Sequence, residues 1–131
     1  MAVWYVDTSA LVKLLLDEAH SSAFGLWALD RSGGLATSAI VRVELTRVPA
    51  LRNAGLEVAA RELLDSIDLI DVLPSILQRA SRVSPPELRS LDAIHLASAL
   101  SLEEDLHGVV TYDRRLADAA RANGVQVAAP V

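Results

Sequence analysis

The apolar pattern of this chain changes period repeatedly along its 131 residues, and that alternation constrains the fold more than any other feature. Short runs such as Val3-Trp4-Tyr5-Val6 read as buried strands, whereas apolar residues three and four apart mark helices between them. Strands that alternate with helices form a parallel sheet with helices packed on it, an α/β architecture. The pattern predicts a strand from Val3 to Val6, then a helix capped by Asp7 or Thr8 and running to about Leu16. A second helix, from about Ser21 to Asp30, stops at Gly33-Gly34. Leu35 to Thr37 forms strand two, and a helix from Ser38 carries Val41, Glu44, Leu45 and Val48, with a kink or a new turn at Pro49. A helix after Gly55, a strand from Leu69 to Val72 and a helix opened by Pro74 follow. Ser84-Pro85-Pro86 breaks the pattern, and Ser90 caps the helix that holds LDAIHLASAL. Gly108 precedes strand four, Val109 to Thr111; the last helix runs from Arg114 to about Ala122, and Val125 to Ala128 is an edge strand. Five strands joined by helices fit a central parallel sheet with right-handed crossovers, in one domain over residues 1–131.

Composition removes several kinds of function. The chain has no cysteine, which excludes disulfides, thiolate metal sites and a cysteine nucleophile together. His20, His95 and His107 show no zinc-ligand spacing such as HExxH. Although 52% of residues are apolar, no uninterrupted run reaches the roughly 20 residues of a membrane span, so no membrane partner is expected. The N-terminus lacks the basic start, apolar stretch and small-residue cleavage site of a secretory signal, so the expected location is cytoplasmic. A net charge of −5 counts against a nucleic-acid binder. Yet Lys13 is the single lysine, and the remaining positive charge is arginine, the side chain suited to bidentate phosphate contact.

Four acids stand where a site would form. Ligands of an open parallel sheet bind beyond the carboxyl ends of its strands, where the strand order reverses. Asp7 closes strand one and Asp113 follows strand four, so the two share a crevice if those strands are neighbours. Glu44 interrupts the apolar stripe of Val41 and Val48, and Asp92 that of Leu88, Leu96 and Ala99. Their helices begin near strand ends, so both acids can point at the same mouth. Converging carboxylates raise one another's proton affinity, a cost that a divalent cation removes. A set of carboxylates without cysteine or histidine suits Mg²⁺ or Mn²⁺, and such ions activate water for phosphodiester hydrolysis.

The motifs WYVDTSALVKL, RVELTR, LDAIHLASAL and VTYDRRLADAA resemble, in order and spacing, those of the PIN domain, most closely the VapC-type ribonuclease toxins of toxin–antitoxin pairs. The resemblance runs from Asp7 to the last strand, and LDAIHLASAL followed by VTYDRRL is its most specific part. It implies a PIN-like three-layer sandwich and a Mg²⁺- or Mn²⁺-dependent endoribonuclease in which Asp7, Glu44, Asp92 and Asp113 coordinate the metal and cut single-stranded or looped RNA. It also implies that Ser9 and Thr111 support the metal site as hydroxyls, that the chain forms a homodimer, and that a VapB-type antitoxin binds and inhibits it, alone or in a hetero-oligomer. Some relatives carry a further acid after the fourth; the nearest candidate here, Asp118, lies a helical turn beyond Asp113 and is set aside.

Each acid also has an ordinary explanation. Asp7 and Asp113 suit helix caps, Glu44 can pair with Arg42 or Arg47, and Asp92 favours the positive end of its helix. His95, one turn from Asp92, reads as a packed or supporting histidine rather than a ligand. Arg114 and Arg115 beside Asp113 either hold RNA phosphate at the rim or balance nearby acids. Phe24 and Trp27 belong to the core or to a dimer face, and the groups Glu103-Glu104-Asp105 and Asp65, Asp68, Asp71 read as solvated margins.

Other functions fit less well. A signalling receiver needs an acidic pair after strand one and a lysine near strand five, but Asp7 stands alone and the lysine is Lys13. An aspartate-nucleophile phosphatase wants a second acid where Ser9 stands. The alternative kept is a catalytically silent PIN-like RNA-binding or interaction module, which would usually have lost one of the acids.

Overall fold

The computed structural model describes residues 2–31 and 34–131. Five parallel strands form one sheet in the order β3-β2-β1-β4-β5: β1 Val3–Val6, β2 Leu35–Ser38, β3 Asp68–Ile70, β4 Leu106–Val110 and β5 Val127–Ala128. The chain lays β2 and β3 on one side of β1 and then returns to place β4 on the other. The strand order therefore reverses between β1 and β4, as the position of Asp7 and Asp113 requires.

Side chains of β1 alternate between two cores, as the period of a strand demands. Val6 and Trp4 pack with Phe24, Val41, Leu45 and Leu64, while Tyr5 packs with Leu96, Leu116 and Ala120. The first core is covered by α2 (Ser21–Leu29), α3 (Val41–Thr46) and α4 (Ala54–Asp65), the second by α6 (Ser90–Leu100) and α7 (Arg114–Ala122). This is the three-layer arrangement expected. The remaining helices are α1 (Thr8–Leu11) and α5 (Pro74–Ala80), the latter beginning with Pro74, whose missing N–H and fixed φ suit a first turn. Phe24 lies fully inside, and the edge of Trp27 meets Trp4 at 5.1 Å between centroids, so these aromatics join the core.

Several boundaries differ from the sequence expectation. The first helix ends at Leu11, not Leu16, because the Val12 carbonyl accepts both Leu15 N–H and Leu16 N–H and tightens the last turn into a 3₁₀ turn at Val12–Leu14. Ser90 is the first helical residue of α6; the cap position falls on extended Arg89, which makes no side-chain cap bond. α3 stops at Thr46, and Pro49 opens a separate 3₁₀ turn. β3 starts one residue early at Asp68 and ends at Ile70. β5 is only Val127–Ala128. Gly108 lies inside β4 rather than before it, paired with Trp4 of β1, and a Cβ there would sit 2.5 Å from the Trp4 ring. The helix stop expected at Gly33 lies outside the described residues. Among the described residues no helix is long and apolar enough to cross a membrane.

Candidate active site

Asp7 follows β1 directly, and its N–H donates to the Val110 carbonyl at 3.2 Å, which extends the β1–β4 pairing by one residue. Thr111 follows β4 in the same way, bonded through its N–H to Ala128 O. The two side chains therefore meet: Thr111 Oγ1 donates to Asp7 Oδ2 at 2.6 Å, and Ser9 Oγ donates to Asp7 Oδ1 at 2.7 Å. Asp7 Oδ1 also accepts from Ala10 N–H and so caps α1. At 4% exposure the carboxyl is nearly dry, and burial raises its proton affinity even though the hydroxyls of Thr111 and Ser9 oppose that shift. The cap and the site are the same residue.

Asp113 is tied to this pair through the backbone, since its N–H donates to Thr111 Oγ1 at 3.0 Å. Its Oδ1 accepts from Arg115 N–H at 2.8 Å and Leu116 N–H at 3.4 Å, capping α7. Glu44 sits in the first turn of α3, where its Oε1 accepts from Thr8 Oγ1 at 2.7 Å and lies 2.6 Å from His95 Nε2. It pairs with His95, neither with Arg42 nor with Arg47 as the sequence allowed, because α6 brings the imidazole to it across the sheet end. Burial pushes the Glu44 carboxyl up, but the hydrogen bonds it accepts from His95 and the Thr8 hydroxyl help to outweigh it and hold the group below its usual range.

Asp92 lies in the first turn of α6. Burial raises its proton affinity most, Asp113 adds to the rise and Glu44 contributes further, while His95 and Arg89 oppose it. Those like-charge effects place Asp92, Asp113 and Glu44 in one electrostatic neighbourhood, with Asp7 joined to Asp113 through the hydroxyl of Thr111. Among the described residues Asp92 accepts no hydrogen bond, and no three Asp, Glu or His side chains are gathered closely enough to form a ready-made cation cage. Ser9 and Thr111 both face Asp7, as stated above.

The two arginines part company. Arg114 borders a hollow of about 460 Å³ with Asp113 and Arg121, whereas Arg115 borders another of about 660 Å³ with Ser84, Pro85 and Glu87. Asp118 lies on the rim of both and pairs with Arg121 at 3.7 Å on the surface. Asp65, Asp68, Asp71, Glu103, Glu104 and Asp105 are all exposed. Sequence reasoning offered Thr8 only as an alternative helix cap; the cap is Asp7, and Thr8 instead donates to Glu44. The link from Tyr5 to His95 spans 90 positions and leaves no local trace.

A five-stranded parallel sheet whose order reverses between β1 and β4, with Asp7 and Asp113 capping the helices that leave those strands and Glu44 and Asp92 on α3 and α6, is the frame against which the family is read. Residues 4–122 match the PIN domain, and the chain belongs to that family. It is 42% identical over 130 residues to Ribonuclease VapC47 of Mycobacterium tuberculosis (strain CDC 1551 / Oshkosh), covering 96% of each chain. It is 40% identical over 130 residues to Ribonuclease VapC46 of Mycobacterium tuberculosis (strain ATCC 25618 / H37Rv), covering 99% of each. A solved toxin-antitoxin complex from Klebsiella pneumoniae superposes with a TM-score of 0.71 over 99% of this chain and 98% of that one, at 20% identity, a likeness of fold. The resemblance to VapC-type proteins read from the four motifs is borne out.

Proposed function

We propose that this protein is a Mg²⁺- or Mn²⁺-dependent endoribonuclease toxin acting as one domain in the cytoplasm, inhibited by a VapB-type antitoxin. What supports it is the placement of Glu44, Asp92 and Asp113 in one electrostatic neighbourhood at the sheet end where Asp7 stands, in a chain 42% identical to a protein named ribonuclease. The residues fit such an ion. They offer hard carboxylate oxygen, and the mutual repulsion that burdens Asp92 is relieved by positive charge between them. Asp7, Glu44, Asp92 and Asp113 would hold it. When bound, the cation acidifies water and offsets the negative charge that builds on the scissile phosphate.

The chain's own groups divide the remaining work. Ser9, Thr111 and Ala10 N–H fix Asp7, and Thr8 and His95 fix Glu44, so two acids are rigid before substrate arrives. Asp92 accepts no such bond among the described residues and is the acid able to adjust. Arg114 meets RNA phosphate beside Asp113, and Arg115 extends that contact around α7. Single-stranded or looped RNA is the substrate class. The exposed Leu26 and Leu29 of α2, with Leu73, Leu77 and Leu91 around α5 and α6, supply apolar surface for a second copy in a homodimer or for the antitoxin.

Chelation tests the reading. Antitoxin-free protein should cleave a defined single-stranded RNA with Mg²⁺, stop in excess EDTA and resume with Mn²⁺. Cleavage that persists in chelator would overturn it, and protein that never cleaves but still binds the RNA would make it the silent module.

A further inference from the structure

Two buried polar side chains take no direct part in that chemistry. Tyr5 is 0% exposed and His95 2% exposed, both in the core beneath the site. They are joined end to end. Ser38 N–H, at the end of β2, donates to Tyr5 Oη at 3.1 Å; Tyr5 Oη lies 2.6 Å from His95 Nδ1; His95 Nε2 lies 2.6 Å from Glu44 Oε1. Chemistry sets the direction of the bond to Glu44. An ionised carboxylate can only accept, so Nε2 must carry a hydrogen. The Tyr5 phenol is a hydroxyl that both donates and accepts. Ser38 N–H takes one lone pair of the phenol oxygen, and the 2.6 Å approach of Oη to Nδ1 suits a hydroxyl hydrogen donated to that nitrogen.

We propose that Tyr5 and His95 are positioning residues for Glu44: Ser38 N–H orients the phenol, the phenol fixes the imidazole as its Nε2–H tautomer, and the imidazole holds Glu44 Oε1. Of the four acids Glu44 is the longest and has the most rotatable bonds. Asp7 and Asp113 are held by hydroxyls or N–H groups within a few residues of the carboxyl-end loops. Glu44 instead takes its orientation from the core, through Tyr5 on β1 and His95 on α6, with Thr8 as the second donor. Both bonds fall on Oε1, and among the described residues no hydrogen bond is made to Oε2, which is left for the site. The chain of bonds thus couples the carboxyl ends of β1 and β2 to the placement of one carboxylate oxygen.

This rests on the ribonuclease reading, because the placement of Glu44 has a kinetic readout only if the site cuts RNA. Two measurements test it on the full chain. Imidazole ¹⁵N shifts, with His95 assigned by its loss in His95→Gln, should show a ring that carries its hydrogen on Nε2 and accepts at Nδ1, and Tyr5→Phe should abolish that single arrangement. A ring protonated at Nδ1 in the parent would overturn the proposal; the phenol hydrogen would then turn to Thr37 Oγ1, which is buried and lacks a hydrogen-bond partner among the described residues.

On a defined RNA, Tyr5→Phe and His95→Leu should lower kcat by on the order of 10-fold to 100-fold with KM unchanged, the usual loss when a supporting partner of a metal-site ligand is removed. His95→Gln, which keeps an N–H donor near the ring Nε2 position, should recover most of the rate. Near-isosteric Tyr5→Phe guards against simple misfolding, checked by its melting curve. An active parent whose Tyr5→Phe and His95→Leu variants match it, or whose His95→Gln is as impaired as His95→Leu, contradicts the positioning role. A parent that cuts no RNA with either metal contradicts the ribonuclease reading instead.

Discussion

Glu44 and Asp92 share one electrostatic neighbourhood, yet the fold moves their proton affinities in opposite directions. Glu44 is held below its usual range, so it adds stability above the unfolded carboxylate pKa, and that contribution is lost as pH falls through the lowered folded value. Asp92 is raised, chiefly by burial and then by Asp113, so its penalty is absent in acid and sets in as pH rises through the carboxylate range. Near pH 7 and without metal, Asp92→Asn should therefore stabilise the protein. Water over its exposed part limits the gain to about 1 kcal/mol or less, about 2–8 °C in melting temperature at most. The gain should vanish in acid below the carboxylate range. Glu44→Ala strands the His95 N–H and the Thr8 hydroxyl and should cost about 1–3 kcal/mol near pH 7. Melting curves in EDTA across this pH range check both, and an Asp92→Asn protein less stable than the parent at neutral pH would contradict the repulsion.

At the scale of elements, what could be read from the sequence was whatever periodicity or a terminal residue encodes. The strand–helix alternation, Asp7 and Asp113 as caps, and Pro74 at a first turn each leave a local mark, and each appears in the structure. The early end of α1 and the inclusion of Gly108 in β4 do not, because a carbonyl with two donors and a tryptophan ring lying over a neighbouring strand are not local patterns. For the site, the residue types and their order were legible. The bonding of Glu44 to His95 was not, since it depends on side chains of α3 and α6, which cover different cores, reaching each other across the sheet end. Two glycines separate these causes. Gly108→Ala would put a Cβ 2.5 Å from the Trp4 ring and 2.8 Å from the Gln126 carbonyl, and should cost about 1–3 kcal/mol through overpacking of β1 against β4. Gly25, inside α2, has nothing within 4 Å of the same atom, so Gly25→Ala should add about 0.5–1 kcal/mol of helix stability. Denaturant midpoints measure the two shifts, and equal effects would mean that packing at Gly108 is looser than the structure shows.

For the whole molecule, Asp7 and Asp113 come to the same end of the sheet because its order reverses between β1 and β4. Asp7, Glu44, Asp92 and Asp113 come from four separated segments, and no one of them has both its neighbours and its partners without the complete fold. A net charge of −5 works against the approach of RNA, so the account requires the acids to be neutralised locally and the arginines around α7 to meet phosphate. The most direct measurement is cleavage of total cellular RNA with Mg²⁺ by antitoxin-free parent protein, beside Asp92→Asn purified identically. The account predicts discrete fragments from the parent and none from the variant, although the variant folds at least as stably. Identical behaviour of the two, whether both cut or neither does, would contradict a catalytic site built on these four acids.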